Sequence, residues 1–141
     1  MKEFVTASEK ETADLAERLC RSIHAGQVVA FTGGMGMGKT AFVRGALRAY
    51  GNPSFVSSPT FALVHDYGGK PHIYHFDMYR ITDEDDLYST GFYDYLNDDS
   101  ILFIEWSENI ADALPDNTVK ISIQQGKEEN TRRICVTGGG F

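Results

Sequence analysis

The chain has 141 residues, of which 42% are hydrophobic, 12% aromatic and 23% charged. That balance suits one domain around one core and excludes disordered and collagen-like classes, while a formal charge of −7 argues against a broad nucleic-acid-binding face. The two cysteines, Cys20 and Cys135, are too few for a disulfide scaffold or a cysteine-based zinc site, and no apolar run approaches the ~20 residues that span a bilayer.

Ser8 followed by Glu11 has the form of a capping box, and Ala13, Leu15, Ala16, Leu19, Cys20 and Ile23 recur at helical spacing. The pattern predicts a helix over 9–24, stopped by Gly26. Val28, Val29, Ala30 and Phe31 lie within a short buried strand over Gln27 to Thr32. A glycine-rich turn leads into a helix over Thr40 to Tyr50, with Phe42, Val43, Ala46 and Leu47 on one side and Gly51 at its end. Phe61 to Tyr67 and His72 to Asp77 are β-prone runs joined by Gly68, Gly69, Lys70 and Pro71, a hairpin pattern. Short acidic helices follow at 83–89 and 92–97. Ile101, Leu102, Phe103 and Ile104 form the most apolar run and predict a central strand; a helix at 108–114 ends at Pro115. Val119 to Ile123 and Arg133 to Val136 read as two late antiparallel strands. The whole is an α/β layout, a mixed central sheet flanked by helices, with one domain over 1–137 and a flexible tail at 138–141.

Charge is unevenly spread. From Arg18 to His65 there is no acid but five bases, Arg18, Arg21, Lys39, Arg44 and Arg48; from Asp66 to Asp116 thirteen acids face only Lys70 and Arg80. The first half tolerates an anion, and the second a cation or a basic partner.

Gly33-Gly34-Met35-Gly36-Met37-Gly38-Lys39-Thr40 fits G-x-x-x-x-G-K-[ST] at every fixed position, directly after an apolar strand and opening a helix. Glycines let successive N–H groups turn toward phosphate oxygens, and the helix adds the positive end of its dipole. Lys39 would neutralise the β- and γ-phosphates, and the Thr40 hydroxyl would hold Mg²⁺. Such a loop needs a second acid at the end of a neighbouring strand. Glu105, closing the run 101–104, is the better candidate; Asp77, closing Ile73 to Phe76, is the other.

Weaker signals are also present. Asp66-Tyr67-Gly68-Gly69 has the D-x-x-G form of a GTPase switch, but a hairpin turn explains it equally, and no N-K-x-D stands downstream to read guanine. His65, His72 and His75 resemble a cluster without the acidic or cysteine ligands a metal site would need. Ser57-Ser58-Pro59-Thr60 reads as an ordinary turn or as a segment that senses the γ-phosphate.

Gly36-Met37-Gly38-Lys39-Thr40, Ser58-Pro59-Thr60, His75-Phe76-Asp77-Met78-Tyr79-Arg80 and Ile104-Glu105-Trp106 stand in the order and spacing of the TsaE (YjeE) family, which the chain resembles from Ser8 to Arg133. The resemblance implies a small bacterial P-loop ATPase that uses ATP/ADP and Mg²⁺ in making threonylcarbamoyladenosine in tRNA. It further implies a cytoplasmic protein acting with TsaD and TsaB, the former performing the transfer, and meeting tRNA only through that complex. By the same resemblance Gly33, Met35, Gly36, Met37, Gly38, Lys39, Thr40 and Trp106 bind nucleotide, together with Glu9 and a late-strand arginine, Arg133 or its neighbour Arg132. Lys39, Asp77 and Glu105 are implied in catalysis, with Thr40, Asp77 and Glu105 toward the metal. The chain departs from the family at Gly34, where an acid is usual, and at Met35 and Met37, where Leu and Ala are common; these changes spare the phosphate-cradling positions. Two other functions fit a P-loop: a small-molecule nucleotide kinase, which usually carries an arginine-rich lid, and a non-catalytic nucleotide-binding adaptor.

Overall fold

The elements of the computed structural model follow the apolar patterning, and the structure describes residues 1–32, 38–54, 56 and 63–141. Chain order is β1 (Lys2–Thr6), α1 (Glu9–Cys20), β2 (Val28–Thr32), α2 (Lys39–Ala49), β3 (Val64–Gly68), β4 (His72–Asp77), α3 (Glu84–Ser89), β5 (Ser100–Glu105), β6 (Val119–Gln125) and β7 (Arg132–Thr137). Ser8 caps α1 by accepting from the Glu11 backbone N–H, and Glu11 Oε1 accepts in return from Ala7 N, so the first turn is satisfied from both sides.

The strands form one sheet in the order β1-β7-β6-β2-β5-β4-β3. β2 pairs in parallel with both β5 and β6, and β5 with β4; the β3–β4, β6–β7 and β1–β7 pairs are antiparallel. The mixed α/β sheet is therefore the one expected, and the apolar run 101–104 is indeed interior to it. Carboxyl ends of β2, β4, β5 and β6 all open on the same edge of the sheet, where ligands gather in open α/β folds.

Two helices cover one face. Val29, Phe31, Ile73, Ile101, Phe103, Ile121, Ile123, Ile134 and Val136 pack beneath α1 and α2. Phe31 meets Phe42 of α2 edge-on at 5.4 Å and lies along Phe103 at 6.3 Å, each ring adding roughly 1.5–3 kcal/mol of transfer free energy. The opposite face, with Val28, Phe76, Leu102 and Ile104, is covered by Met78 just after β4, Leu87 of α3, and Phe92 and Ile110 from two 3₁₀ segments. α1 and α2 touch backbone to backbone: a Cβ added at Gly45 would sit 2.0 Å from the Ala13 carbonyl oxygen.

Some elements differ from expectation. α1 stops at Cys20 rather than 24. The segment predicted as a helix at 92–97 is a 3₁₀ turn over Phe92–Tyr95. That at 108–114 is 3₁₀ over Ser107–Ala113, interrupted at Ile110 (φ −130°). β1 has no counterpart in the predicted elements. Residues 138–141 lie along the end of the sheet: Gln27 Nε2 donates to the carbonyls of Gly139 and Asn117, Phe141 N donates to Gly138 O, and the Phe141 ring packs on the core. No helix among the described residues is long and apolar enough to cross a membrane.

Candidate nucleotide site

Gly38 holds φ +101°, a left-handed turn that a side chain disfavours, and α2 begins at the next residue. A Cβ there would meet Ile123, Thr12 and Arg132 at 3.8–4.0 Å, so β6, α1 and β7 converge behind the turn. The first turn of α2 carries no acid, which keeps its exposed amide ends attractive to an anion. Lys39 is 4% exposed, and its Nζ lies 5.4 Å from the centre of the Trp106 ring, within cation–π range. Thr40 follows it, half-buried. Gly33, Met35, Gly36 and Met37, and the segment Ser57 to Thr60, lie outside the described residues.

The two acids arrive together. β4 and β5 run parallel in a register that sets Asp77 opposite Glu105, and Met78 N donates to Glu105 O just beyond the pair. β5 is the immediate neighbour of β2, with Ala30 opposite Ile104, so Glu105 stands at the exit of the strand feeding the glycine-rich turn. Asp77 is one strand further out, ~5 Å away across the sheet. Its Oδ1 accepts from Tyr79 N at 2.9 Å, fixing the turn that follows β4. Ser107 Oγ donates to Phe31 O at 2.8 Å, which ties the exit of β5 to that of β2. Trp106 between them takes φ +58°, the one non-glycine residue with positive φ among those described, and its ring meets Tyr79 at 5.0 Å.

His75 escaped the sequence reading as part of this site. It lies two residues before Asp77 and on the same face of β4, fully buried, and its Nε2 is 2.7 Å from Glu105 Oε2. Its Nδ1 is 3.3 Å from the Tyr67 hydroxyl. The period of two along β4 was the available signal. His65 sits opposite His75 across the β3–β4 ladder with rings 6.5 Å apart, while His72 pairs with Asp66 and stacks on Tyr74.

Of the remaining residues, Glu9 is exposed in the first turn of α1, one turn before Thr12, whose methyl group neighbours Gly38. Thr12 is anchored by a buried 2.7 Å hydrogen bond between its hydroxyl and that of Thr6. Arg133 is not brought to the turn. It alternates to the face opposite Ile134 and Val136 and pairs with Glu3 at 2.6 Å. Arg132 shares the face of Ile134, and its stem approaches Gly38.

Among the described residues no three His, Cys, Asp or Glu converge as a metal cage. A hydroxyl and two carboxylates are nonetheless an oxygen donor set that suits Mg²⁺, which is commonly held by one or two carboxylates, phosphate oxygens and water.

The family model described as threonylcarbamoyl adenosine biosynthesis protein TsaE matches residues 6–134. Curated relatives named tRNA threonylcarbamoyladenosine biosynthesis protein TsaE include that of Haemophilus influenzae, 44% identical over 98 residues; the match spans 68% of this chain and 61% of that one. The Treponema pallidum protein of the same name is 34% identical over 132 residues, spanning 94% of this chain and 97% of its own. Among solved structures, the crystal structure of YdiB from Bacillus subtilis superimposes with a TM-score of 0.74 at 25% identity, over 99% of this chain and 86% of that one.

Proposed function

The chain belongs to the TsaE family, and from that premise we propose that it binds and hydrolyses ATP in support of threonylcarbamoyl transfer to adenosine in tRNA. The observation that carries the reading is the pairing of Asp77 with Glu105 at the sheet edge where Gly38, Lys39 and Thr40 open α2. A P-loop helix start supplies donors for phosphate, and two carboxylates beside it supply what the metal and the attacking water require.

In this reading Gly33, Met35, Gly36, Met37 and Gly38 wrap the phosphates, and Lys39 neutralises the charge that grows on the β- and γ-oxygens. Bound Mg²⁺ would draw charge from the same oxygens. Thr40, Asp77 and Glu105 are the groups to hold it, and Glu105 also orients the attacking water. Trp106 forms a wall beside Lys39. Glu9 and a β7 arginine border the nucleotide, with Arg132 favoured over Arg133 by its nearness to Gly38. The partners proposed are TsaD and TsaB in the cytoplasm, with tRNA reached only through them. A minimal P-loop hydrolyses slowly until a partner orders its switch or adds a charge.

The test is phosphate release by the purified chain, alone and with titrated TsaD and TsaB. Slow turnover that rises clearly with both proteins is expected. Fast turnover that neither partner changes, or phosphate transfer to a nucleoside, would overturn the reading in favour of a free-standing ATPase or kinase.

A further inference from the structure

We propose that His75 is a positioning residue for Glu105, its Nε2–H held against one carboxylate oxygen so that this oxygen is pinned and the other is left for the reaction, with the Tyr67 hydroxyl seated at Nδ1. The inference rests on the ATPase reading of Glu105 given above.

His75 occupies a β4 position opposite Phe103, on the sheet face that α1 and α2 cover, where an aliphatic side chain would pack without any polar requirement. An imidazole with no exposure is tolerated there only if both nitrogens are satisfied. Both are, in a single chain of bonds. A carboxylate only accepts, so the nitrogen 2.7 Å from Glu105 Oε2 carries the hydrogen. Nδ1 in turn lies 3.3 Å from the Tyr67 hydroxyl, a group that can donate or accept. The Glu105 carboxylate thus fixes the hydrogen on Nε2, and Tyr67 on β3 and His75 on β4 form one line of contacts that ends on Glu105 of β5.

The bond crosses the ladder on a diagonal, from His75 to the residue two beyond its partner Phe103, and reaches the last residue of β5 just before the chain turns at Trp106. There it restrains a side chain whose free rotation would otherwise disperse the carboxylate. No described group bonds to Glu105 Oε1. A partner that acts through a reacting or metal-binding group commonly changes activity by about 10- to 100-fold when removed.

The experiment measures kcat and KM for ATP in the full-length chain with its stimulating partners, with folding checked by circular dichroism. His75→Phe is expected to lower kcat by about 10- to 100-fold and to leave KM for ATP essentially unchanged. His75→Gln, which keeps an N–H at the reach of Nε2, is expected to restore most of the rate. Tyr67→Phe, which removes the contact at Nδ1, should lower kcat by a smaller factor. Adding His75→Phe to Glu105→Gln should cost nothing further, because both changes remove one function. The proposal is overturned if folded His75→Phe keeps its kcat, if its effect multiplies with that of Glu105→Gln, or if His75→Gln is as slow as His75→Phe. Should His75→Phe fail to fold, His75→Leu replaces it, and equal rates in His75→Leu and His75→Gln refute the proposal; an unchanged kcat in Tyr67→Phe refutes the part given to Tyr67. An undiminished rate in Glu105→Gln alongside a dead Lys39→Ala would instead remove Glu105 from the ATPase reading, and the proposal with it.

Discussion

Replacing Gly45 by alanine sets two effects of opposite sign against each other. Gly45 lies inside α2, where alanine is the better helix former by ~0.8–1.0 kcal/mol, so propensity alone makes Gly45→Ala stabilising. The new methyl, however, would stand 2.0 Å from Ala13 O, 2.7 Å from Ala13 C and 2.9 Å from Ala13 Cα. Carbon contacts settle near ~3.5 Å, so the two helices must part by roughly 1.5 Å at this point. The obstacle is backbone, which has no rotamer to swing aside, and parting it would loosen Ala16, Leu19, Phe42 and Ala46 beneath. Overpacking of this kind costs typically 1–3 kcal/mol, and a rigid obstacle argues for ~3. The net is ~2 kcal/mol of destabilisation, a drop of roughly 8 °C in Tm at ~4 °C per kcal/mol for a domain of this size. Thermal unfolding followed by far-UV circular dichroism measures it. A Tm equal to or above that of the unaltered chain would refute the backbone contact between α1 and α2.

Lys39→Ala is expected to lower ATP turnover by ~10²-fold or more, as for other single electrostatic stabilisers of a transition state. Thr40→Ala should weaken Mg²⁺-dependent binding while nucleotide without metal still binds, and equilibrium dialysis with and without the ion distinguishes the two. Glu105→Gln and Asp77→Asn should retain ATP and lose hydrolysis in single-turnover assays; unfolding of both would make the carboxylates structural instead. Stimulation by TsaD and TsaB should fall as salt rises from low to physiological strength, since the acids between Asp66 and Asp116 would steer a basic partner. Burial pushes the Cys20 thiol up to about 12 from its ordinary value of 9.0. It should therefore resist alkylation at pH 8 until the protein unfolds. Because the unfolded thiol ionises first, this group's contribution to stability declines as pH rises from 9.0 towards 12. Labelling of Cys20 in the folded chain at the rate of a free thiol would contradict that burial.

What the sequence disclosed follows from the range over which each cue acts. The strand β2 and the helix opening at Lys39 were legible because apolar run, glycines, Lys39 and helix pattern stand within a dozen or so consecutive residues, and Ile101 to Ile104 because a strand covered on both faces is apolar throughout. β1 was not, since its residue types do not follow its burial: Phe4 and Thr6 face inward, yet Thr6 is polar, while the apolar Val5 between them is exposed. The acids were recognisable separately as strand ends, whereas their pairing is a matter of register between segments 28 residues apart (105 − 77). The bond from His75 to Glu105 spans 30 residues and leaves no local trace. The arginines are instructive in another way. Ile134 and Val136 already marked the inward parity of β7, which put Arg132 inward and Arg133 outward.

The two margins of the sheet have a bearing on how the protein behaves at high concentration. A bare strand edge is a template for a second copy, and long apolar edges are where soluble proteins begin to aggregate. Here one margin, β1, is only five residues long and carries Lys2 and Glu3 outermost, with Glu3 further tied to Arg133. The other, β3, breaks register between Asp66 and Gly68, and its exposed Asp66 engages His72. Each margin is thus spoiled for stacking by a different device, charge on one side and a bulge on the other. Neutralising Lys2 and Glu3 together would leave Val5, already 70% exposed, on an uncharged strand and invite edge-to-edge assembly, while the fold behind it stayed intact.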